Sequence, residues 1–315
     1  GALRIFLARH HPELLEHRQV DVGFDIARDA RIAVPVPGAA EVAALLDDAE
    51  GVHPRLAQPH RRQHAAKAAG YDLIVSNITQ PSRDSIRAAM ERLGRWLVDG
   101  MILITPVPGI DYADIAGLHP DTPLVFLDAA LGSNTPSVVV DQGEGGRLVT
   151  QHLIDLGHTV LCEISGPLHW FGAVARHESW LDTLRRAGLT PGFSIQGDWT
   201  ALGGYQTAHR LLENGASFTA LVVGNDQMAI GAMRAIRERG LRIPEDISIV
   251  GFDDVPEAAC FQPPLTTVRQ DFDVLGKQGI DYLVQRIEKP ETPIEQRVIW
   301  PTLIVRASTA PPGSP

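Results

Sequence analysis

From residue 71 onward the chain repeats one pattern: a short apolar run, then a segment whose apolar residues recur at helical spacing. No other feature restricts the fold as much. Continuous β-branched runs this short suit strands covered on both faces, as in a parallel sheet. The runs are 73–76, 101–105, 123–127, 137–140, 160–165, 194–197, 220–223 and 247–252. Helices are predicted between them, over 83–98, 143–156, 173–187, 203–214, 226–239 and 273–288. In 143–156 the stripe is Leu148, Val149, Leu153 and Leu156, and Gly157 stands where a left-handed C-cap is wanted. In 226–239 Asp226 can cap the N-terminus, Ala229, Ile230, Met233 and Ile236 form the stripe, and Gly240 ends it. In 273–288 the stripe is Leu275, Ile280, Leu283, Val284 and Ile287. Such alternation builds right-handed βαβ units on a doubly wound sheet. There are more strands than one such sheet needs, and 315 residues fit two domains of about 100–200 each. The predicted class is therefore α/β, with two doubly wound parallel-sheet lobes.

The first 70 residues lack this rhythm. Residues 1–30 read as irregular or helical. Residues 31–36 resemble a strand weakened by Pro35 and Pro37, and 53–64 are basic, broken by proline and aperiodic. This stretch holds nine Lys/Arg and nine Asp/Glu, so the formal charge of −10 lies downstream of it. A domain that binds nucleic acid unaided usually carries a net basic face, so this chain alone is expected to bind DNA poorly. No apolar run reaches the roughly 18 residues of a membrane span. Cys162 and Cys260 sit in no Cys-x-x-Cys or Cys/His cluster, so neither a disulfide framework nor a metal site is expected. The chain reads as cytoplasmic. The tail Ala310–Pro315 is Pro/Gly-rich and expected to fray.

Ligands of open α/β sheets bind beyond the carboxyl ends of the strands. At those points stand Gly166-Pro167-Leu168 with Arg176 further on, Asp198-Trp199, Asn225-Asp226 and Asp253-Asp254. Planar bidentate groups grip vicinal hydroxyls, and an indole covers the apolar face of a sugar ring. Asp226, Asp253 and Asp254 also suit caps and turns, Arg176 a solvated helix face, and Trp199 a core. Enzyme readings have less support. Gly143-Glu144-Gly145-Gly146-Arg147 lacks the spacing and lysine of a phosphate loop, no Gly-x-Ser-x-Gly elbow occurs, and no histidine neighbours a nucleophile. No cofactor is expected.

Taken together, Gly157-His158, Gly166-Pro167-Leu168, Gly197-Asp198-Trp199, 225–232 (Asn-Asp-Gln-Met-Ala-Ile-Gly-Ala), 244–254, 264–270 and 305–309 resemble the effector-binding core of the LacI/GalR family of bacterial transcription repressors. The resemblance runs in order over about 71–309. The Asp-Trp, Asn-Asp-Gln-Met-Ala and Gln270-Asp271-Phe272 details are most similar to the lactose-type branch. It implies two periplasmic-binding-protein-like lobes joined by three crossovers: 1–158 with 270–298, and 159–269 with 299–309, leaving 310–315 as a tail. It implies that Arg176 grips the effector, Trp199 stacks on it, Asn225 and Asp253 bind hydroxyls, Phe272 closes the pocket near the hinge, and Glu144 faces it from the first lobe. The implied effector is a small sugar, and no leucine heptad follows residue 309, so a homodimer is expected. Operator DNA would be bound through a helix-turn-helix head that nothing in 1–30 matches. The first βα unit is long, and 35–40 replace the usual polar ligand loop. Val174 and the bulky His169-Trp170-Phe171 also depart from the lactose-type pattern. The rival reading is the sugar-binding protein of a transport system.

Overall fold

The computed structural model describes residues 2–8, 42–45, 71–78, 83–94, 98–104, 112–213 and 218–313. The chain begins with β1 (Ala2–Ala8), β2 (Val42–Leu45), β3 (Asp72–Ile78), α1 (Arg83–Gly94), β4 (Gly100–Ile104), α2 (Tyr112–Ala116), β5 (Leu124–Leu127) and β6 (Ser137–Val140). It continues with α3 (Gln142–Asp155), β7 (Leu161–Ser165), α4 (Phe171–Arg186), β8 (Ser194–Gln196), α5 (Ala201–Glu213), β9 (Ala220–Val223) and α6 (Asp226–Glu238). Then follow β10 (Ser248–Val250), a 3-10 turn (Pro256–Cys260), β11 (Thr267–Arg269), α7 (Phe272–Glu288), β12 (Gln296–Ile299) and β13 (Thr302–Ile304).

The strands form a seven-stranded sheet in the order β12-β6-β5-β4-β1-β2-β3, a four-stranded sheet in the order β10-β9-β7-β8, and a β11-β13 ribbon. The smaller sheet is parallel throughout, as are β4, β5, β6 and β12 in the larger. The larger sheet departs from the all-parallel expectation at β1, which runs antiparallel to β3 and β4. A ladder satisfies backbone groups in either sense, and large sheets commonly mix directions. The start at Ala2–Ala8 is a strand, not irregular or helical; a seven-residue run that is apolar but for Arg4, with Ile and Phe at its centre, suits one. The strand expected at 31–36 and the basic 53–64 lie outside the described residues.

The strands β4, β5, β6, β7, β9 and β10 are buried along their whole length, which is why most of them read as apolar runs. In the larger sheet Ile102, Ile104, Val125 and Leu127 pack with Leu275, Ile280 and Leu283 of α7. Their neighbours Met101, Leu103, Leu124 and Phe126 pack with Ile86 and Met90 of α1 on the other face. In the smaller sheet Cys162, Ile164, Leu221, Val223 and Ile249 face α5 and α6. Leu161, Ala220, Val222 and Val250 face Val149 and Leu153 of α3 and Trp180 and Leu184 of α4. Helix α3, placed with the first lobe in the sequence reading, thus packs in the core of the second, and the chain passes between the units just before it. Later passages fall between β11 and α7 and between β12 and β13. Ile230, read as part of a buried stripe, is 42% exposed, and Met228 takes its place in the core. Helices α5 and α6 approach so closely that a Cβ on Gly231 would stand 1.9 Å from the Ala201 carbonyl. The tail is held as far as Ala310: its carbonyl accepts from the buried His158 ring and its N–H donates to Ser248 Oγ.

One buried charge interrupts the second core. Glu163, at the middle of β7 and 3% exposed, accepts from His177 Nδ1 and from Ser194 Oγ, each at 2.6 Å. The hydrogen bond to Glu163 raises the pKa of His177 against the opposing effect of its burial. A raised histidine stabilises the fold fully below its unfolded pKa of about 6.5 and loses that contribution as pH climbs through the folded value. Burial lowers His152 and His158, so their contributions have the opposite sign. The difference in urea midpoint between the unaltered chain and His177→Gln is therefore expected to shrink from about pH 6 upward. A pH-independent difference would show that the pair does not titrate with folding.

Candidate functional site

Parallel strands end at one edge of their sheet, so the residues after β7, β8, β9 and β10 are gathered without any contact specifying it. The backbone there is bent sharply. Among the described residues four non-glycines have positive φ: Asp128 (67°), Trp199 (72°), Asp253 (113°) and Asp254 (51°). Each lies just past a strand of one sheet or the other. Such conformations cost about 1–3 kcal/mol each and persist where surrounding structure imposes them.

Arg176, in the second turn of α4, is the centre of the group. Its Nε donates to Gln142 Oε1 at 2.9 Å and its Nη1 to the Gly224 carbonyl at 2.5 Å. The guanidinium carbon lies 3.7 Å from the centre of the Phe252 ring and 5.5 Å from that of Trp199. Nη2 stands 3.9 Å from Asp253 Oδ1, near enough for attraction and too far for a direct hydrogen bond. Burial lowers the pKa of Arg176, while Asp253, Asp128 and Asp226 oppose that shift. Asp253 is 2% exposed, and its Oδ1 accepts from Gln270 Nε2 at 2.5 Å.

Trp199 is half-buried. A Cβ on Gly166 would stand 2.0 Å from its six-membered ring, so only glycine leaves room for the indole there. Trp170 meets it edge-on at 5.9 Å between centroids. The buried Trp199 Nε1 has no acceptor among the described residues. Asn225 holds the Trp199 backbone, its Nδ2 donating to the Trp199 carbonyl at 3.1 Å, while its Oδ1 accepts from the Met228 N–H at 2.8 Å. Asn225 is therefore the N-cap of α6, the role the sequence reading gave to Asp226. Asp226, fully buried, ties strand ends together instead, accepting from Val255 N–H at 2.8 Å and Thr267 Oγ1 at 2.6 Å. Burial, reinforced by Asp253, pushes its pKa up to about 8. Burial also raises Asp254, but hydrogen bonds from Arg306 and Arg269 outweigh it and leave its pKa lowered.

The structure brings Arg176, Trp199, Asn225 and Asp253 together. Phe272 opens α7 and is buried in the first core with Leu127 and Val140, beneath the strand ends that face the second unit. Glu144 is not part of the group. It pairs with Arg147 at 2.7 Å and lines a groove of about 510 Å³ between α3 and α4 with Ser179, Asp182 and Arg186. It belongs to a helix that packs on the second sheet, so it cannot face the cluster from the first. The acid that does so is Asp128, just past β5, whose carboxyl is raised to about 6 by burial against the lowering field of Arg176. The sequence reading missed it. The signal was present, because Asp128 directly follows a buried strand, but only strand ends of the second unit were searched for ligand groups. No group of three or more metal-binding side chains occurs among the described residues.

The chain matches a family model described as a periplasmic binding protein-like domain over residues 150–309. It is 34% identical to the lactose operon repressor of Escherichia coli K12 over 249 residues, spanning 79% of this chain and 69% of that protein. Its structure is similar to that of the lac repressor dimer bound to operator and the anti-inducer ONPF. The TM-score is 0.78, with 31% identity over 84% of this chain and 93% of the other. It is also similar to a LacI family transcriptional regulator from Enterococcus faecium with bound ribose, with a TM-score of 0.71 and 25% identity over 82% of this chain and 95% of the other. A doubly wound pair of units, strand ends converging on one buried arginine, and this extent of identity lead to one assignment: the chain belongs to the LacI family of transcriptional regulators, whose effector-binding core it represents.

Proposed function

We propose that this chain is the effector-binding and dimerisation core of a LacI-type repressor. A small sugar in the cleft between the units biases their closure and so controls operator binding by an upstream helix-turn-helix. The observation that carries this reading is the 3.9 Å spacing of Arg176 Nη2 and Asp253 Oδ1 beneath the Trp199 indole. A hydroxyl lying between the two accepts from the guanidinium and donates to the carboxylate. The neighbouring indole supplies an apolar face and an unspent N–H. Asp128, of the first unit, acts electrostatically on the same arginine, so a ligand here would lie in a field set by both units, which is what would let it discriminate between lobe arrangements.

The lactose and ribose operon repressors of Escherichia coli K12 match over 79% and 76% of this chain, which favours a regulator acting in the cytoplasm on DNA. A homodimer is the expected assembly, as in the lac repressor dimer. No helix among the described residues is long and apolar enough to cross a membrane.

Calorimetric titration with D-ribose, D-galactose, lactose and cellobiose is expected to reveal saturable binding of at least one; no heat with any of them would end the sugar reading. A carboxylate–hydroxyl bond in a closed site contributes about 1.5–3 kcal/mol, so Asp253→Ala should weaken that binding about tenfold or more. A retained thermal transition would show that its fold survives. Unchanged affinity would remove Asp253 from the site. The emission of Trp199, isolated by comparison with Trp199→Phe, should change on saturation; a silent Trp199 would make it a core residue only.

A further inference from the structure

Two glutamines occupy the passages between the units. Gln142 opens α3, directly after the chain leaves the first sheet, and Gln270 lies between β11 and α7, where the chain returns to it. Neither amide faces solvent freely. Gln270 is 4% exposed, and the first turn of α4 packs on Gln142, with a Cβ on Gly172 standing 3.5 Å from Gln142 Cγ. Gln142 Oε1 accepts from Arg176 Nε at 2.9 Å. Gln142 Nε2 donates to Gln270 Oε1 at 2.7 Å, and Gln270 Nε2 donates to Asp253 Oδ1 at 2.5 Å.

We infer that Gln142 and Gln270 are positioning residues, a directional relay that holds Arg176 and Asp253 apart at the spacing a ligand hydroxyl requires. The inference rests on the sugar-site reading above. A guanidinium only donates and a carboxylate only accepts, so both amide orientations are dictated from the ends. Turning either amide sets N–H against N–H or oxygen against oxygen. Without the relay, a buried cation and a carboxylate 3.9 Å apart would close into a direct ion pair and withdraw both groups from a ligand. The relay crosses two interlobe passages, so a change in the angle between the units alters the Arg176–Asp253 spacing, and a ligand filling that spacing opposes the change. The glutamines would thus tie ligand occupancy to lobe arrangement without touching the ligand.

The test has a ligand-free arm and a ligand arm. In the sugar-free crystal structure of Gln142→Leu, Arg176 Nη2 and Asp253 Oδ1 are expected to close to about 3 Å or less, the range of a charge-assisted hydrogen bond. An unchanged spacing overturns the relay whether or not any sugar binds. If the unaltered chain bound none of the four sugars, the sugar reading alone would fail and this arm would still decide. For whichever of the four the unaltered chain binds, Gln142→Leu and Gln270→Leu should each weaken binding about tenfold, and the double variant no further, because one break already disables the relay. Additive losses, or none, overturn it.

Gln270→Glu gives a readout that packing alone would not move. It sets a carboxylate against Asp253, so binding should be lost near pH 8 and regained toward pH 5, where one proton shared by the pair restores the donor. The other charged groups around Asp253 are Arg176, Asp128 acting through it, Asp226, and Asp254 with Arg269 and Arg306. All are common to the unaltered chain, whose own pH profile is the reference. Matching profiles overturn the proposal.

Discussion

A guanidinium buried between two sheets is the constraint around which the rest of the cleft is arranged. Arg176 donates hydrogen bonds to the carbonyl after β9 and to the glutamine that opens α3, and it lies over the Phe252 ring. Removing so large a cation from water is costly unless its donors are met and its charge is balanced. Here the balance is shared by Asp253 and Asp128 instead of one bidentate partner. That sharing leaves the arginine held in place yet able to engage a neutral polar ligand. It also links the two units electrostatically, because Asp128 belongs to the first and Asp253 to the second.

The local backbone has been shaped to suit. Three aspartates and a tryptophan adopt left-handed backbone conformations at strand ends, where ordinary loops would use glycine. Glycine is used elsewhere, at Gly166, where the indole of Trp199 lies against the chain. Strain is therefore stored in residues that carry polar or aromatic groups, and space is made at the one that does not. The buried carboxyl group of Asp226 stabilises this arrangement from below by joining α6 to the loop after β10 and to β11.

Much of the fold was legible because the central strands of both sheets are covered on two faces, which makes most of them apolar runs and the helices over them amphipathic stripes. The strands at 137–140 and 220–223 were read to the residue. The two strands of the β11-β13 ribbon were not found. β11 ends on an exposed Arg269 and β13 is exposed or half-buried throughout, and each is three residues long, too short to show a period. Helix α3 was recognised as a helix but assigned to the wrong neighbours, because an apolar stripe records that a face is buried and not which sheet buries it. The same limit bears on Glu144: the family resemblance implied a place facing the pocket from the first unit, and only packing sets it beside α4.

The rule that ligand groups follow parallel strands pointed to Arg176, Trp199, Asn225 and Asp253 together with Asp198, Asp226 and Asp254, and the family resemblance then separated the four from their neighbours. These are local facts, carried by strand identity and by the residue types that suit polyol recognition. Tertiary structure alone decided that Asn225 and not Asp226 caps α6, that Asp128 is the acid reaching the arginine from the first unit, and that two glutamines 128 residues apart meet between the units. Such pairings depend on how two separately stable sheets are set against each other. That geometry comes from side-chain packing summed over both cores, and no spacing within one segment records it.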